Sequence, residues 1–173
     1  MNRVANFEKV SFEQYFKDYL KTYSLDVKDV HIPRLREQYE QIKLPKRGTK
    51  GSAGYDFFTP ENLTIQPQTS LTIPTGIRCK MEDGYVLMGF PRSGLGFKYR
   101  MSLENTVAVV DQDYYYSDNE GHIMIKLHNP KHEPINIELG KGFAQGIIMQ
   151  YFITYDDDAD GVRNGGFGST TGK

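Results

Sequence analysis

The stretch GHIMIKLHNPKHEPINIELGKG, residues 121–142, decides the fold class. Apolar residues occupy every second position from Ile123 to Leu127, and again from Ile135 to Leu139. A period of two is that of β-strands with one buried face. The Asn129-Pro130 turn separates the two runs, and Gly140-Lys141-Gly142 ends the second. The segment therefore predicts two short strands joined by a turn.

The same alternation recurs upstream, from Ile42 to Phe90, and turn formers interrupt it at Thr59–Asn62 and at Asp83-Gly84. Turns every 8–12 residues or so are typical of sandwiches and jelly rolls. We therefore predict an all-β fold, a jelly-roll-like β-barrel that spans residues 39–154.

Residues 1–38 follow a helical period instead. The apolar side chains of this segment are spaced for one helix face, at Phe12, Tyr15, Phe16, Tyr19, Leu20 and Tyr23. Ser11 can cap the helix, with Gln14 as its capping-box partner. This pattern predicts a short helical N-terminal extension, with a second short helix beside Pro33. Because the period changes near Tyr39, we expect that residues 1–38 can be removed without loss of the β domain.

Charge and composition exclude several classes of protein. The chain has 21 Lys and Arg against 22 Asp and Glu. It therefore lacks the net positive charge that would predict nucleic-acid binding. Its one cysteine, Cys79, cannot form an intrachain disulfide and is predicted to be a buried small hydrophobe. No stretch approaches the roughly 20 apolar residues that span a membrane. We expect a cytoplasmic protein without membrane attachment, encoded by a cell or by a phage in its host.

The C-terminal residues 155–173 lose the strand pattern. After three aspartates at 156–158, the composition is rich in Gly, Ser and Thr, which predicts a flexible tail. Arg163, a run of glycines, Phe167 and two hydroxyl residues form a mixture that suits a phosphate group next to a flat base. A plain linker is the alternative interpretation.

Two further segments carry residues suited to catalysis or anion binding. An apolar strand that starts after Asn105 ends in Asp111 and Asp113, and such carboxylates act as general bases or metal ligands. In Phe90–Gly96, the Arg92 guanidinium and the following Ser and Gly residues suit an anion. A solvated turn is the alternative for both segments. The four histidines are interpreted as surface or hairpin residues.

Five segments stand in an order that resembles the five motifs of trimeric dUTPases. They are Ala53–Phe57, Pro91–Leu95, Val110–Tyr114, Gly142–Gln145 and Arg163–Thr170. The resemblance implies hydrolysis of dUTP to dUMP and pyrophosphate with Mg²⁺. It also implies a jelly-roll homotrimer in which each active site draws on all three chains.

The resemblance also implies roles for the residues around the base and sugar. Asp111 would be the general base that activates a water for attack on the α-phosphorus. Tyr114 would lie beneath the deoxyribose, and the Asn105 amide would contact the uracil edge. Backbone groups near Ile123 and Met124 would complete recognition of the base.

For the phosphates, the resemblance implies contacts on two chains. Arg92, Ser93, Gly94 and Gln145 would hold the phosphates, and Asp56 would act on the Mg²⁺ shell through water, with no direct protein ligand. The tail of another chain would close the site, with Phe167 stacked over uracil. The other tail residues expected at the substrate are Arg163, Gly168, Ser169 and Thr170.

The chain departs from the family pattern at two places that bear on the site. Tyr115–Glu120 lengthens the hairpin after Tyr114, and Gly142 stands where an arginine is usual. A dCTP deaminase shares the implied fold, but Lys126 occupies the position where deamination needs a glutamate. The other alternative is a second role in which residues 1–38 or 115–120 bind a regulatory protein.

Overall fold

The computed structural model describes residues 2–163 and 165. Its strands are β1 Ala5–Lys9, β2 Lys46–Arg47, β3 Tyr55–Phe58, β4 Leu63–Ile65, β5 Ser70–Pro74, β6 Ile77–Met81, β7 Tyr85–Pro91, β8 Ser102–Leu103, β9 Ala108–Val110, β10 Met124–His128, β11 Ile135–Ile137 and β12 Gly142–Gln150. The α-helices are α1 Phe12–Tyr23, α2 Ile32–Glu40 and α3 Ser93–Tyr99. Single 3₁₀ turns cover Val27–Asp29 and Gln112–Tyr116. The predicted all-β class is confirmed.

The strands form four antiparallel sheets. The largest has the order β2-β3-β12-β7-β9, and β5-β10-β8, β1-β6 and β11-β4 form the smaller ones. Inward-facing positions alternate as the sequence predicts, so that Ile125 and Leu127 are buried while Lys126 between them is exposed. The alternation therefore fixes which face of each strand joins the core.

The N-terminal extension is part of this core. β1, which the helical pattern did not predict, pairs with β6 from Ala5 opposite Met81 to Lys9 opposite Ile77. The buried side chains contributed by this part of the chain are Phe7, Val10, Phe12, Tyr15 and Leu35. This packing contradicts the expectation that residues 1–38 are separable, because their removal would open the core and leave the β6 edge unpaired.

Helix α1 begins as predicted, with one difference in its cap. The Ser11 hydroxyl accepts a hydrogen bond from the Gln14 N–H at 3.1 Å. The Gln14 side chain does not return to the Ser11 N–H, however, and instead donates to Asp18 at 2.8 Å. The Ser11 N–H donates to the Glu120 carboxylate at 2.7 Å, so a residue far along the chain completes the cap.

Two boundaries differ from those predicted. Helix α2 continues to Glu40, beyond residue 38, and the predicted strand at Ile42 and Leu44 is absent from this described segment, where Lys46–Arg47 form the strand instead. Ile42 is buried in the core, whereas Leu44 is 46% exposed. Cys79 is buried as expected, and burial raises the pKa of its thiol to about 12. None of the described helices has the length and apolar character to cross a membrane.

Candidate active site

Three side chains predicted to act on phosphates or metal lie together at one end of the large sheet. We call Asp56, Arg92 and Gln145 the Arg92 cluster. Gln145 stands opposite Asp56 of β3 on one side and opposite Phe90 of β7 on the other. The Arg92 guanidinium lies 3.4 Å from the Asp56 carboxylate, and the Gln145 amide donates to the Pro91 carbonyl at 3.2 Å. Ser93 and Gly94 follow at the exposed start of α3.

Two glycines leave the space that the Arg92 cluster occupies. A Cβ atom on Gly54 would lie 2.6 Å from the Gln145 side-chain oxygen, and a Cβ atom on Gly142 would lie 3.1 Å from Arg92 Nε. The glycine that replaces the usual arginine at 142 therefore lets the Arg92 side chain cross the backbone of β12.

A second group of charged side chains surrounds the end of β9. Asp111 follows this strand with its side chain 50% exposed. The Arg163 guanidinium forms an ion pair with the Asp111 carboxylate and another with Asp113 at 2.9 Å. The same guanidinium lies 5.7 Å from the centre of the Tyr114 ring. We call Asp111, Asp113, Tyr114 and Arg163 the Tyr114 cluster.

Tyr114 is held from inside the protein. Its side chain is 1% exposed, and its hydroxyl donates to the His122 carbonyl at 2.8 Å. The Asn119 amide donates to the Tyr114 hydroxyl oxygen at 2.8 Å. Burial raises the pKa of Tyr114 to about 12, so the hydroxyl keeps its proton and remains a donor.

The insert Tyr115–Glu120 packs against the N-terminal extension. The Tyr115 hydroxyl donates to Glu8 of β1 at 2.7 Å, and Glu120 accepts hydrogen bonds from the Ser11 N–H and hydroxyl. Gly121 closes the insert with φ +70°, where a Cβ atom would lie 2.7 Å from Tyr115 Cα. The extension and the insert, both predicted to be available for a partner, thus contact each other.

One histidine was placed wrongly by the sequence. His122 is fully buried, not at the surface, and its Nδ1 lies 2.6 Å from the Asp18 carboxylate. Sequence reasoning missed Asp18, Asn119, Glu120 and His122. Asp18 and His122 are 104 positions apart in the chain, so their spacing carries no signal for this pair.

The two clusters lie at opposite ends of β7. In the β7–β9 pair, Leu87 stands opposite Val110, so Asp111 is level with Val86, whereas Arg92 follows the other end of β7. The offset of six residues corresponds to roughly 20 Å of strand. The structure therefore assembles each cluster but does not bring Arg92 next to Asp111 within one chain.

The remaining predicted residues differ in their placement. Asn105 is exposed in the turn before β9, at the opposite end of that strand from Asp111, and Met124 begins β10.

Ile123 does not fit the predicted contact with a base: its N–H donates to the Ile77 carbonyl at 2.8 Å, and its carbonyl accepts from the Thr75 hydroxyl at 2.6 Å. The predicted tail contacts of Phe167, Gly168, Ser169 and Thr170 lie outside the described residues.

Comparisons with known proteins agree with the motif pattern. A sequence-family profile described as dUTPase matches residues 40–171. A deoxyuridine 5'-triphosphate nucleotidohydrolase from Lactococcus lactis is 39% identical over 132 residues, which cover 75% of this chain and 88% of that protein.

Solved structures extend the comparison to the fold. The crystal structure of a dUTPase from Streptococcus mutans has a TM-score of 0.60 and 37% identity, and covers 64% of this chain and 88% of that one. The dUTPase of Staphylococcus bacteriophage 80alpha has a TM-score of 0.63 over 94% of this chain and 100% of its own. Because its identity is 17%, this second likeness concerns the fold alone.

Proposed function

The chain belongs to the dUTPase family, and from this premise we propose that it hydrolyses dUTP to dUMP and pyrophosphate. The observation that carries the proposal is the placement of Asp111. This carboxylate follows strand β9, whose Ala108 and Val110 are buried, is half-exposed, and stands three residues before a buried tyrosine that is fixed by hydrogen bonds. A positioned carboxylate next to solvent is what a general base for water requires.

In the proposed reaction, Asp111 accepts a proton from a water molecule as the water oxygen bonds to the α-phosphorus. The bond from that phosphorus to the oxygen bridging to the β-phosphate breaks, and the electron pair leaves with pyrophosphate. Hydrogen-bond donors stabilise charge on the phosphate oxygens: Arg92 supplies a cationic donor, and Ser93, Gly94 and Gln145 supply neutral ones.

Arg163 connects the tail to the base. Its guanidinium pairs with one oxygen of the Asp111 carboxylate in the described chain and so competes with water for the proposed base. The phosphates of the substrate offer an alternative anionic partner. We infer that Arg163 moves from Asp111 to the phosphates, and that Phe167, Gly168, Ser169 and Thr170 close over the nucleotide with it.

Magnesium suits this site as an ion carried by the substrate. Asp56, paired with Arg92, stands where it can contact the hydration shell of the ion through water. When bound to triphosphate oxygens, Mg²⁺ supplies positive charge and keeps most of its waters.

Substrate selection is assigned to residues on two sides of the nucleotide. Tyr114 lies against the deoxyribose and leaves no room for a 2′-hydroxyl, while Asn105 and the backbone of Met124 contact uracil. Ile123 is left out of this set because its backbone groups are already bonded within the chain.

One assay tests the proposed function: pyrophosphate release from dUTP, dTTP, UTP and dCTP, measured side by side. We expect dUTP to be hydrolysed far faster than the other three. Comparable rates on UTP would refute the assignment of Tyr114. Ammonia release from dCTP would favour the deaminase alternative, although Lys126 lies exposed on β10 where a proton-shuttling glutamate would be needed.

The offset between the two clusters supports a homotrimer with shared sites. A separation of roughly 20 Å along β7 exceeds the reach of one triphosphate, so Arg92 and Asp111 of one site come from different chains. Large apolar side chains remain exposed after β12, with Phe152 at 85% and Ile153 at 71%. Such a patch is typical of surfaces that bind another chain.

Mixed trimers test this arrangement. Asp111→Asn and Arg92→Ala chains, each inactive alone, are co-expressed with two tags, and doubly tagged trimers are isolated. Each doubly tagged trimer then has both intact residues at about one site in three. Activity no higher than that of the parent variants would place both residues in one chain. A third variant, truncated before Gly161 and paired with Asp111→Asn, tests in the same way whether the tail acts on its own Asp111, which it contacts here.

A regulatory protein partner is a second candidate function. The phage 80alpha dUTPase is described as controlling the transfer of virulence genes. In this chain Tyr116 of the insert is 66% exposed, whereas Tyr115 and Glu120 are engaged with the extension. We therefore place any partner contact at Tyr116. Capture of a host protein that is equally strong with Tyr116→Ser would contradict this placement.

A further inference from the structure

Helix α1 reaches the Tyr114 cluster through one carboxylate. The Asp18 Oδ2 atom receives hydrogen bonds from Gln14 Nε2 at 2.8 Å and from His122 Nδ1 at 2.6 Å. Asp18 is 14% exposed and His122 is fully buried. Burial alone raises the pKa of Asp18, but the hydrogen bonds from His122 and Gln14 outweigh it, so the pKa is lowered and Asp18 stays ionised.

The hydrogen-bond partners of the His122 ring determine which of its nitrogens carries the proton. The Gly76 N–H donates to His122 Nε2 at 2.8 Å, and a backbone N–H can only donate, so Nε2 carries no proton. The ring proton is therefore on Nδ1 and points to Asp18. Both ring nitrogens are satisfied, and this locks the orientation of the imidazole.

The backbone of the same residue holds Tyr114. The His122 carbonyl accepts from the Tyr114 hydroxyl at 2.8 Å and from the Asn119 amide at 3.4 Å. The Tyr114 N–H in turn donates to the Asp111 carbonyl at 3.2 Å. Hydrogen bonds to the ring and to the carbonyl of His122 thus link helix α1 to the Tyr114 hydroxyl, and the Tyr114 N–H bonds to the main chain of Asp111.

We propose that Asp18 and His122 are positioning residues that fix the position of the Tyr114 ring relative to the sugar. The N-terminal helix then contributes to discrimination between deoxyribose and ribose, although it carries none of the five family motifs. This inference rests on the proposed function, in which Tyr114 excludes the 2′-hydroxyl. Neither residue touches the substrate; both act through Tyr114.

The test compares three variants of the full-length chain. Asp18→Ala removes the acceptor of the His122 Nδ1–H. Asp18→Asn keeps an oxygen that can accept from both Gln14 and His122. The control is Glu61→Ala, which removes the carboxylate that accepts from the Tyr23 hydroxyl at 2.9 Å and from Tyr19 at 3.4 Å. It loosens the same helix through a carboxylate that bonds Tyr19 and Tyr23 and not His122.

The readouts are the thermal unfolding temperature and the ratio of kcat/KM for dUTP to that for UTP. We expect Asp18→Ala to lower the ratio by at least about fivefold, the size of effect that follows loss of a buried hydrogen-bond partner. Asp18→Asn should show the wild-type ratio. Glu61→Ala should lower the unfolding temperature but leave the ratio of kcat/KM values unchanged. An Asp18→Ala ratio equal to that of wild type, or a loss of equal size in Glu61→Ala, overturns the proposal.

Two further measurements separate the possible failures. If Asp18→Ala does not fold, Gln14→Ala releases one of the two bonds to the carboxylate, and an unchanged ratio in that variant also overturns the inference. Wild-type protein that does not prefer dUTP over UTP refutes the proposed role of Tyr114 before any variant is compared. Preference in wild type with no effect of Asp18 or Gln14 refutes only the positioning role.

Discussion

The Arg92 cluster and the Tyr114 cluster are built in different ways. Asp56 and Gln145 are neighbours because β3 and β12 pair in one register, and Arg92 follows the strand on the other side of β12. Tyr114 is instead held by Asn119 and His122, and through them by helix α1. When paired strands form a site, its residues lie in short sequence motifs. When distant segments form a site, some of the residues that hold it lie outside every motif.

Deleting residues 1–38 should have the largest effect of these changes, because it removes the helix that supports the Tyr114 cluster. Five buried side chains are lost, and truncation of a single one typically costs about 2–5 kcal/mol. Five such losses, about 10–25 kcal/mol, match or exceed a typical total stability of roughly 5–15 kcal/mol. We expect no cooperative thermal unfolding by circular dichroism, whereas a control that lacks only Asn2 and Arg3 unfolds like wild type. A deletion variant with a wild-type transition would contradict this packing.

Replacing Asp111 with Asn tests the proposed chemistry and also weakens the ion pair with Arg163. The amide cannot take the proton of water, so turnover of dUTP should fall by about 10²–10⁴-fold while nucleotide binding persists. Steady-state pyrophosphate release and equilibrium binding measure the two effects. Asp113→Asn is the matched control, because Asp113 shares the ion pair with Arg163 but is not the base. Equal losses in both variants would point to the ion pair instead.

Gly54→Ala perturbs the Arg92 cluster. The new Cβ atom lies 2.6 Å from the Gln145 side-chain oxygen, so the amide must move away from the Pro91 carbonyl. We expect KM for dUTP to rise roughly 3–10-fold with the dUTP/UTP preference retained, as for a modest overpacking strain. Gly51→Ala is the control, since its Cβ atom would meet nothing within 4 Å. A change in sugar preference instead of KM would show that the clusters are not independent.

Glu120→Gln should produce the smallest effect and acts on the cap of α1. Partial burial raises the pKa of Glu120, but the bonds from the Ser11 hydroxyl and N–H outweigh it, so the pKa is lowered. A lowered carboxyl pKa contributes stability above the unfolded-state value near 4.5, and this contribution is lost as pH falls through the folded value.

The expected loss at pH 7 is about 1 kcal/mol, or about 2–4 °C in unfolding temperature. Between pH 7 and pH 3 the variant should lose less stability than wild type. Glu37→Gln, at an exposed position on α2, should follow the wild-type pH dependence. Parallel curves for wild type and Glu120→Gln would mean that the charge of Glu120 does not support the cap.

The sequence predicted the parts of the molecule that local rules control. Alternation from Ile123 to Leu127 gave the right buried face of β10, and Ser11 was identified as the cap of α1. Strand β1 was not predicted, because its pairing with β6 depends on contacts about 70 residues away. The burial of His122 was not foreseen when the histidines were interpreted as surface or hairpin residues, since a histidine has no intrinsic preference that reveals a buried carboxylate partner.

Strand β7 keeps Asp111 and Arg92 apart, and this has a consequence for the newly made protein. If the sites are shared as proposed, a chain that leaves the ribosome carries every motif but does not by itself bring its proposed base and phosphate donors to the same nucleotide. Under the proposed assembly, activity at low expression rises more steeply than in proportion to the amount of chain, and dilution below the dissociation constant of the trimer abolishes activity. Gene dosage would then act on nucleotide hydrolysis as a threshold.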